Sequence, residues 1–187
     1  MGKLMYTLNV SLDGFIETSE HGLDWALVDD ELHTWFNDRM RPLAGSLYGR
    51  RLYEVMSAYW PTAESDPAAT ETEREFARIW NATPRFVFSN TLKSVDFNSR
   101  LVAGDVGERL AEIRAEVSGD LEVGGPTLAS AFIERGLVDE FGLVVHPVVL
   151  GSGRPYFPAL SAPLPLRLVE THRFASGVVY LGYRVER

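Results

Sequence analysis

Residues 121–132 read LEVGGPTLASAF, from Leu121 to Phe132. A short apolar run stops at Gly124 and Gly125, passes through Pro126 and Thr127, and resumes with helical spacing. Glycine and proline are what a tight strand-to-helix turn needs. A proline in the first helical turn loses nothing, because its missing N–H has no partner there. The start of a helix also presents unpaired N–H groups and the positive end of the helix dipole, so a junction free of side chains can seat an anion. Thr127 can cap the helix or donate to a phosphate.

A second junction of the same form lies upstream. Tyr48-Gly49-Arg50-Arg51-Leu52-Tyr53-Glu54 carries a strand through glycine into a helix. The formal net charge is −8, and two adjacent arginines at a helix start oppose its dipole. A bound anion explains them better than helix stability does. Taken singly, either glycine is a turn; together they suggest a diphosphate spanning both helix starts. A weaker third candidate is Phe88-Ser89-Asn90-Thr91, where a strand ends in hydroxyl and amide groups suited to a ribose or a 2′-phosphate.

Outward from these junctions the chain alternates strand and helix. Strands are expected at 4–10, 44–48, 85–89, 94–97, 121–123 and 141–150, and helices at 29–41, 50–56, 71–81, 106–117 and 127–135. Residues 59–70 read as a polar loop. Residues 166–174 and 178–185 read as a hairpin closed by Ala175-Ser176-Gly177. Such alternation predicts an α/β protein with a mostly parallel sheet, helices on both faces and a C-terminal antiparallel hairpin. Ligands of such sheets sit at the carboxyl ends of the strands. The 187 residues fit one domain, 1–187, without repeats or a domain linker.

Composition narrows the function. With no cysteine, thiolate catalysis, disulfides, iron–sulfur clusters and cysteine-ligated zinc are excluded. The four histidines show no metal-ligand spacing, so no metal is expected. The acidic balance argues against a nucleic-acid partner. No stretch approaches the ~18 apolar residues of a membrane span. The first residues lack a secretory signal, which gives a cytoplasmic expectation. His146, on an apolar strand, reads as a satisfied core residue.

The pieces Ser11-Leu12-Asp13-Gly14-Phe15-Ile16, Gly49 to Glu54, Phe88 to Leu92, Val123 to Leu128, Gly136 to Glu140 and His146 to Gly153 cover nearly the whole chain in order. In that order they resemble the dihydrofolate reductase superfamily and, within it, the reductase (RibD C-terminal) domain of the riboflavin-biosynthesis deaminase-reductase. The resemblance implies a three-layer α/β/α fold, NADPH, and hydride transfer to a pteridine- or pyrimidine-type substrate, as in 5-amino-6-(5-phosphoribosylamino)uracil reductase. It places Gly49, Arg50, Arg51 and Leu52 on the cofactor phosphates from one helix start, and Gly124, Gly125, Pro126, Thr127 and Leu128 from the other. Ser89, Asn90 and Thr91 fall near the adenosine end. Asn9 and Ile16 flank the nicotinamide, with residues 16–25 as a mobile cover.

Asp13 is the first candidate proton donor, and Glu31 or His33 the second. Folate-reducing members carry a carboxylate in the first helix; the matching position here is Leu32 or His33, with Glu31 beside it. The deaminase domain of the bifunctional enzymes is not part of these 187 residues, which implies a stand-alone relative with a substrate of its own. A homodimer is expected, as in riboflavin-type reductases. A true dihydrofolate reductase and a non-catalytic dinucleotide-binding module remain as alternatives.

Overall fold

The computed structural model describes residues 2–186. Along the chain the strands are β1 (Leu4–Ser11), β2 (Phe15–Glu17), β3 (Gly45–Gly49), β4 (Arg85–Phe88), β5 (Ser99–Val102), β6 (Leu121–Gly124), β7 (Glu140–His146), β8 (Arg154–Pro155), β9 (Leu166–Arg173) and β10 (Val179–Val185). The helices are α1 (Asp30–Met40), α2 (Arg50–Ser57), α3 (Trp60–Ala63), α4 (Glu71–Ala82), α5 (Val106–Glu116) and α6 (Pro126–Glu134). Eight strands form one sheet in the order β5-β4-β3-β6-β1-β7-β10-β9. From β5 to β7 the pairs are parallel, and β10 pairs antiparallel with both β7 and β9.

The helix starts follow from local chemistry. Asp29 caps α1 by accepting from the Leu32 amide at 2.9 Å. Thr70 and Glu73 cap α4 reciprocally, each side chain accepting from the other's backbone N–H. Each face of the sheet then has its own apolar layer. On one side α5 and α6 pack Leu110, Ile113, Phe132 and Ile133 against Leu4, Tyr6, Leu47, Leu121 and Val123. On the other, Met40, Leu43, Ile79 and Trp80 cover Tyr48 and Val87, while Leu32 covers Val144, Val178 and Tyr180. The fold is the three-layer, mostly parallel α/β architecture expected.

Four details differ from the sequence reading. The fifth strand is 99–102, not 94–97. Phe97 and Asn98 turn at positive φ, 59° and 51°. Arg85, stacked on Trp80, donates to the carbonyls of Trp80, Thr83 and Phe97 and fixes the chain where a strand was expected. Residues 59–70 include the short helix α3. β7 ends at His146, because Pro147 has no N–H to continue the ladder. Finally, β2 and β8 pair antiparallel as a separate two-stranded sheet beside the main one.

Candidate functional site

At the carboxyl ends of the parallel strands the two glycine junctions lie side by side, because β3 and β6 are neighbours with Tyr48 opposite Gly124. Each helix start packs on the other. A Cβ built on Gly49 would meet Leu128 Cβ at 3.6 Å, and one on Gly125 would meet Leu52 Cβ at 3.5 Å. Gly124 admits no side chain without a shift, since its Cβ would fall 2.5 Å from Leu52 Cδ2. Gly125 has φ +90°, a conformation left to glycine. No side chain caps α2 or α6, so the first-turn amides of both face outward for an anion.

Positive charge gathers there. Arg50 and Arg51 are exposed, Arg50 paired with Glu54 at 3.4 Å. Arg154 donates to Thr127 Oγ1 at 2.9 Å and so brings a third guanidinium to the start of α6. In the sequence Arg154 has one signal only, its place directly after Gly151-Ser152-Gly153. At the end of β4, Ser89 Oγ accepts from the amides of Thr91 and Leu92, both at 3.1 Å, so it closes its own turn while Asn90 stays exposed. Uncapped amides, glycines at both junctions and three arginines fit a dinucleotide diphosphate.

A crevice opens over the two central strands. On β1, Leu4, Tyr6 and Val10 turn to the α5–α6 side and are at most 1% exposed. Met5, Thr7 and Asn9, on the opposite side, are each partly exposed. On β6, Leu121 and Val123 are buried while Glu122 between them is partly open. The flanking strands on that same side are covered: Ser46 and Tyr48 of β3, and Val144 and His146 of β7, are buried. Thr7, Asn9 and Glu122 therefore floor a slot between two covered flanks. Leu52 overhangs it from α2, and Trp25 lies edge-on to His146 with ring centroids 5.5 Å apart.

His146 is more than packing. Its Nε2 lies 3.0 Å from Asn9 Oδ1, which fixes the Asn9 amide with its NH2 group unspent. Burial lowers the His146 pKa, so the ring is neutral near pH 7. Ile16 is buried in the core cluster beneath this edge.

The three proton-donor candidates sit elsewhere. Asp13 accepts from Ser11 Oγ at 2.7 Å and from the amides of Gly151 and Leu150 at 2.7 and 3.1 Å. The Ser11 hydrogen bond first, then those amides, holds its carboxyl below the usual range, a setting for an anion that braces two loops. Glu31 accepts from the Ala175 amide at 2.9 Å and caps the hairpin turn. His33 stands against Trp60 and Phe76, and burial lowers its pKa. Leu32 is sealed in the core. None of the α1 candidates is brought together with Asn9. The acid on the crevice floor is Glu122, whose signal in the sequence was a lone carboxylate inside the apolar run LEVG.

Fold and site define a dihydrofolate reductase-like α/β domain, with glycine-lined helix starts at the carboxyl ends of two interior strands and a crevice beside them. The chain belongs to the RibD C-terminal domain family, whose model matches residues 2–180. It is 34% identical over 182 residues to the uncharacterized protein YyaP of Bacillus subtilis, covering 97% of this chain and 94% of that one. Among solved structures, a Shewanella sp. PV-4 protein with a provisional riboflavin-biosynthesis assignment superposes over 100% of both chains, with TM-score 0.79 and 22% identity. Dihydrofolate reductase from Enterococcus faecalis, solved with NADP(H), covers 99% of this chain and 97% of its own, with TM-score 0.64 and 16% identity.

Proposed function

We propose that this chain is an NADPH-dependent reductase that passes hydride to a small substrate of pteridine or pyrimidine type, in the manner of the reductase of riboflavin biosynthesis. The observation that carries the reading is the interlock of two uncapped, glycine-opened helix starts at the mouth of a polar crevice. The NADP(H) bound by the Enterococcus enzyme of the same fold supports the choice of cofactor. When bound, it supplies the hydride. The chain's own residues orient it and exclude water. Gly49 to Leu52 and Gly124 to Leu128, with Arg154, would hold the diphosphate. Arg50, Arg51 and Ser89 to Thr91 would meet the adenosine end and its 2′-phosphate. Asn9 and Ile16 would lie against the nicotinamide.

The crevice favours an acceptor other than folate, since Glu31 is turned to Ala175 and Leu32 is packed away. A homodimer in the cytoplasm belongs to the same proposal. Its support is the edge strand β9, almost wholly exposed, with Leu168 and Val169 uncovered.

The test is binding of NADPH and NADH, followed by fluorescence, to the wild type and to Arg50→Ala. The variant should lose about tenfold for NADPH, the scale of one charge-assisted hydrogen bond, and little for NADH. Equal losses would remove Arg50 from the 2′-phosphate. Oxidation of NADPH by a panel of pteridines and pyrimidines then identifies the acceptor; binding without any oxidation would mark a non-catalytic module.

A further inference from the structure

Glu122 is a carboxyl group on an interior strand, between Met5 of β1 and Ser46 of β3. Thr7 lies one step further along the same face of β1. Among the described residues it has no salt-bridge partner. The positive charge that acts on it comes from Arg39 of α1, but that guanidinium is committed to Glu170, at 3.1 and 2.7 Å, and to Tyr180 Oη at 2.7 Å. The remaining titratable groups that feel Glu122 are Tyr48 and Tyr156, both held protonated by burial. Desolvation pushes the Glu122 carboxyl up to about 7. An apolar residue would serve the strand better, because an unpaired acid inside a sheet costs stability. Such a group beside a crevice marks a site.

We propose that Glu122 is the acid of the crevice: it holds the acceptor heterocycle by its N–H and C=O edge and delivers the proton that accompanies the hydride. The inference rests on the reductase reading above. A neutral carboxyl both donates and accepts, which matches such an edge. As hydride from the reduced nicotinamide adds to the carbon of a C=N bond, the π electrons pass to the nitrogen. That nitrogen takes the proton from Glu122. The products are a C–H, an N–H, oxidised nicotinamide and a Glu122 carboxylate, which water in the crevice reprotonates. A proton donor with a pKa near the working pH suits this step.

The experiment compares the wild type with Glu122→Gln, which keeps the shape and loses the titration. In protein labelled with 13C at the glutamate carboxyls, one resonance should titrate near 7 and vanish in the variant. Binding of 2-amino-4-oxopteridine without cofactor should weaken as pH rises through that value in the wild type and lose this dependence in the variant. With NADPH present, single-turnover hydride transfer in the variant should fall by about 10²–10⁴-fold while NADPH affinity is unchanged. Absence of a carboxyl titrating near neutrality, or the same pH dependence of pterin binding in both proteins, overturns the assignment. A wild type that never oxidises NADPH defeats the reductase reading instead, and the carboxyl titration and pterin binding still decide Glu122.

Discussion

The two faces of the central strands are built from alternate residues of the same segments, yet they serve different ends. Toward α5 and α6, β1 and β6 present Leu4, Tyr6, Val10, Leu121 and Val123, sealed beneath Phe132 and Ile133. Toward α1 and α4, the same strands present Met5, Thr7, Asn9 and Glu122 to an open slot. The period-two geometry of a strand allows this division. Over β1 and β6 the tightest packing lies on one face, and the stretch of the other between its flanking apolar clusters is free to carry polar groups that a packed core would reject. The binding edge lies where the strands run out into α2 and α6, so one sheet supports both a rigid cofactor seat and a polar crevice.

Removing a side chain from the sealed face tests this contrast most severely. Phe132→Ala should destabilise the fold by about 3–5 kcal/mol through lost burial and a residual cavity. Asn9→Ala, on the open face, should cost about 1–2 kcal/mol, through the hydrogen bond lost by buried His146, while impairing hydride transfer. Denaturant midpoints for the two variants measure the difference. Comparable losses would mean that the slot is part of the core.

The next effect falls at the edge where the faces meet. Gly125→Ala must hold an L-residue at φ +90°, at a cost of about 1–3 kcal/mol. NADPH binding should weaken with it, because the strained junction can relax only by moving the start of α6. A variant of wild-type stability and affinity would show that this turn tolerates another conformation.

Glu122→Gln sharpens the comparison through pH. The folded-state pKa is raised from 4.5 to about 7, so protonated Glu122 favours folding. That contribution is fully present below the unfolded value and is lost as pH rises through the folded one. The Gln variant should lack this decline and exceed the wild type above neutrality by about 1–2 kcal/mol, allowing for solvent in the slot. Thermal unfolding of both proteins across this range gives the answer; parallel profiles would place the titration elsewhere.

The sequence reveals the sealed face and the junctions because each has a local signature: apolar alternation for one, glycine before a helix for the other. Both glycine junctions and the final hairpin are legible without coordinates. The open face was illegible for a physical reason. Glu122 is a polar break in a strand, Arg154 reaches Thr127 from 27 residues away, and His146 meets Asn9 across 137. Side chains joined only by the sheet leave no spacing to recognise. The misplaced fifth strand has a similar origin, since residues 94–97 are held by Tyr53, whose hydroxyl accepts from the Asp96 amide at 2.7 Å, and by Arg85.

Asp13 offers the smallest effect and separates bracing from chemistry. Its carboxylate ties the turn after β1 to Leu150 and Gly151, next to both the crevice and β2. Because its folded pKa is depressed, its stabilising contribution is present above the unfolded value and is lost as pH falls through the folded one. Asp13→Asn should therefore lower the thermal midpoint slightly near neutrality and lose the wild type's decline toward acid, so that the two stability profiles converge at low pH. If Asp13 acts as a brace, the variant keeps the pH dependence of hydride transfer and loses rate uniformly, as a slightly misplaced Ile16 and Asn9 would require. If it is the proton donor, the rate instead collapses across the neutral range.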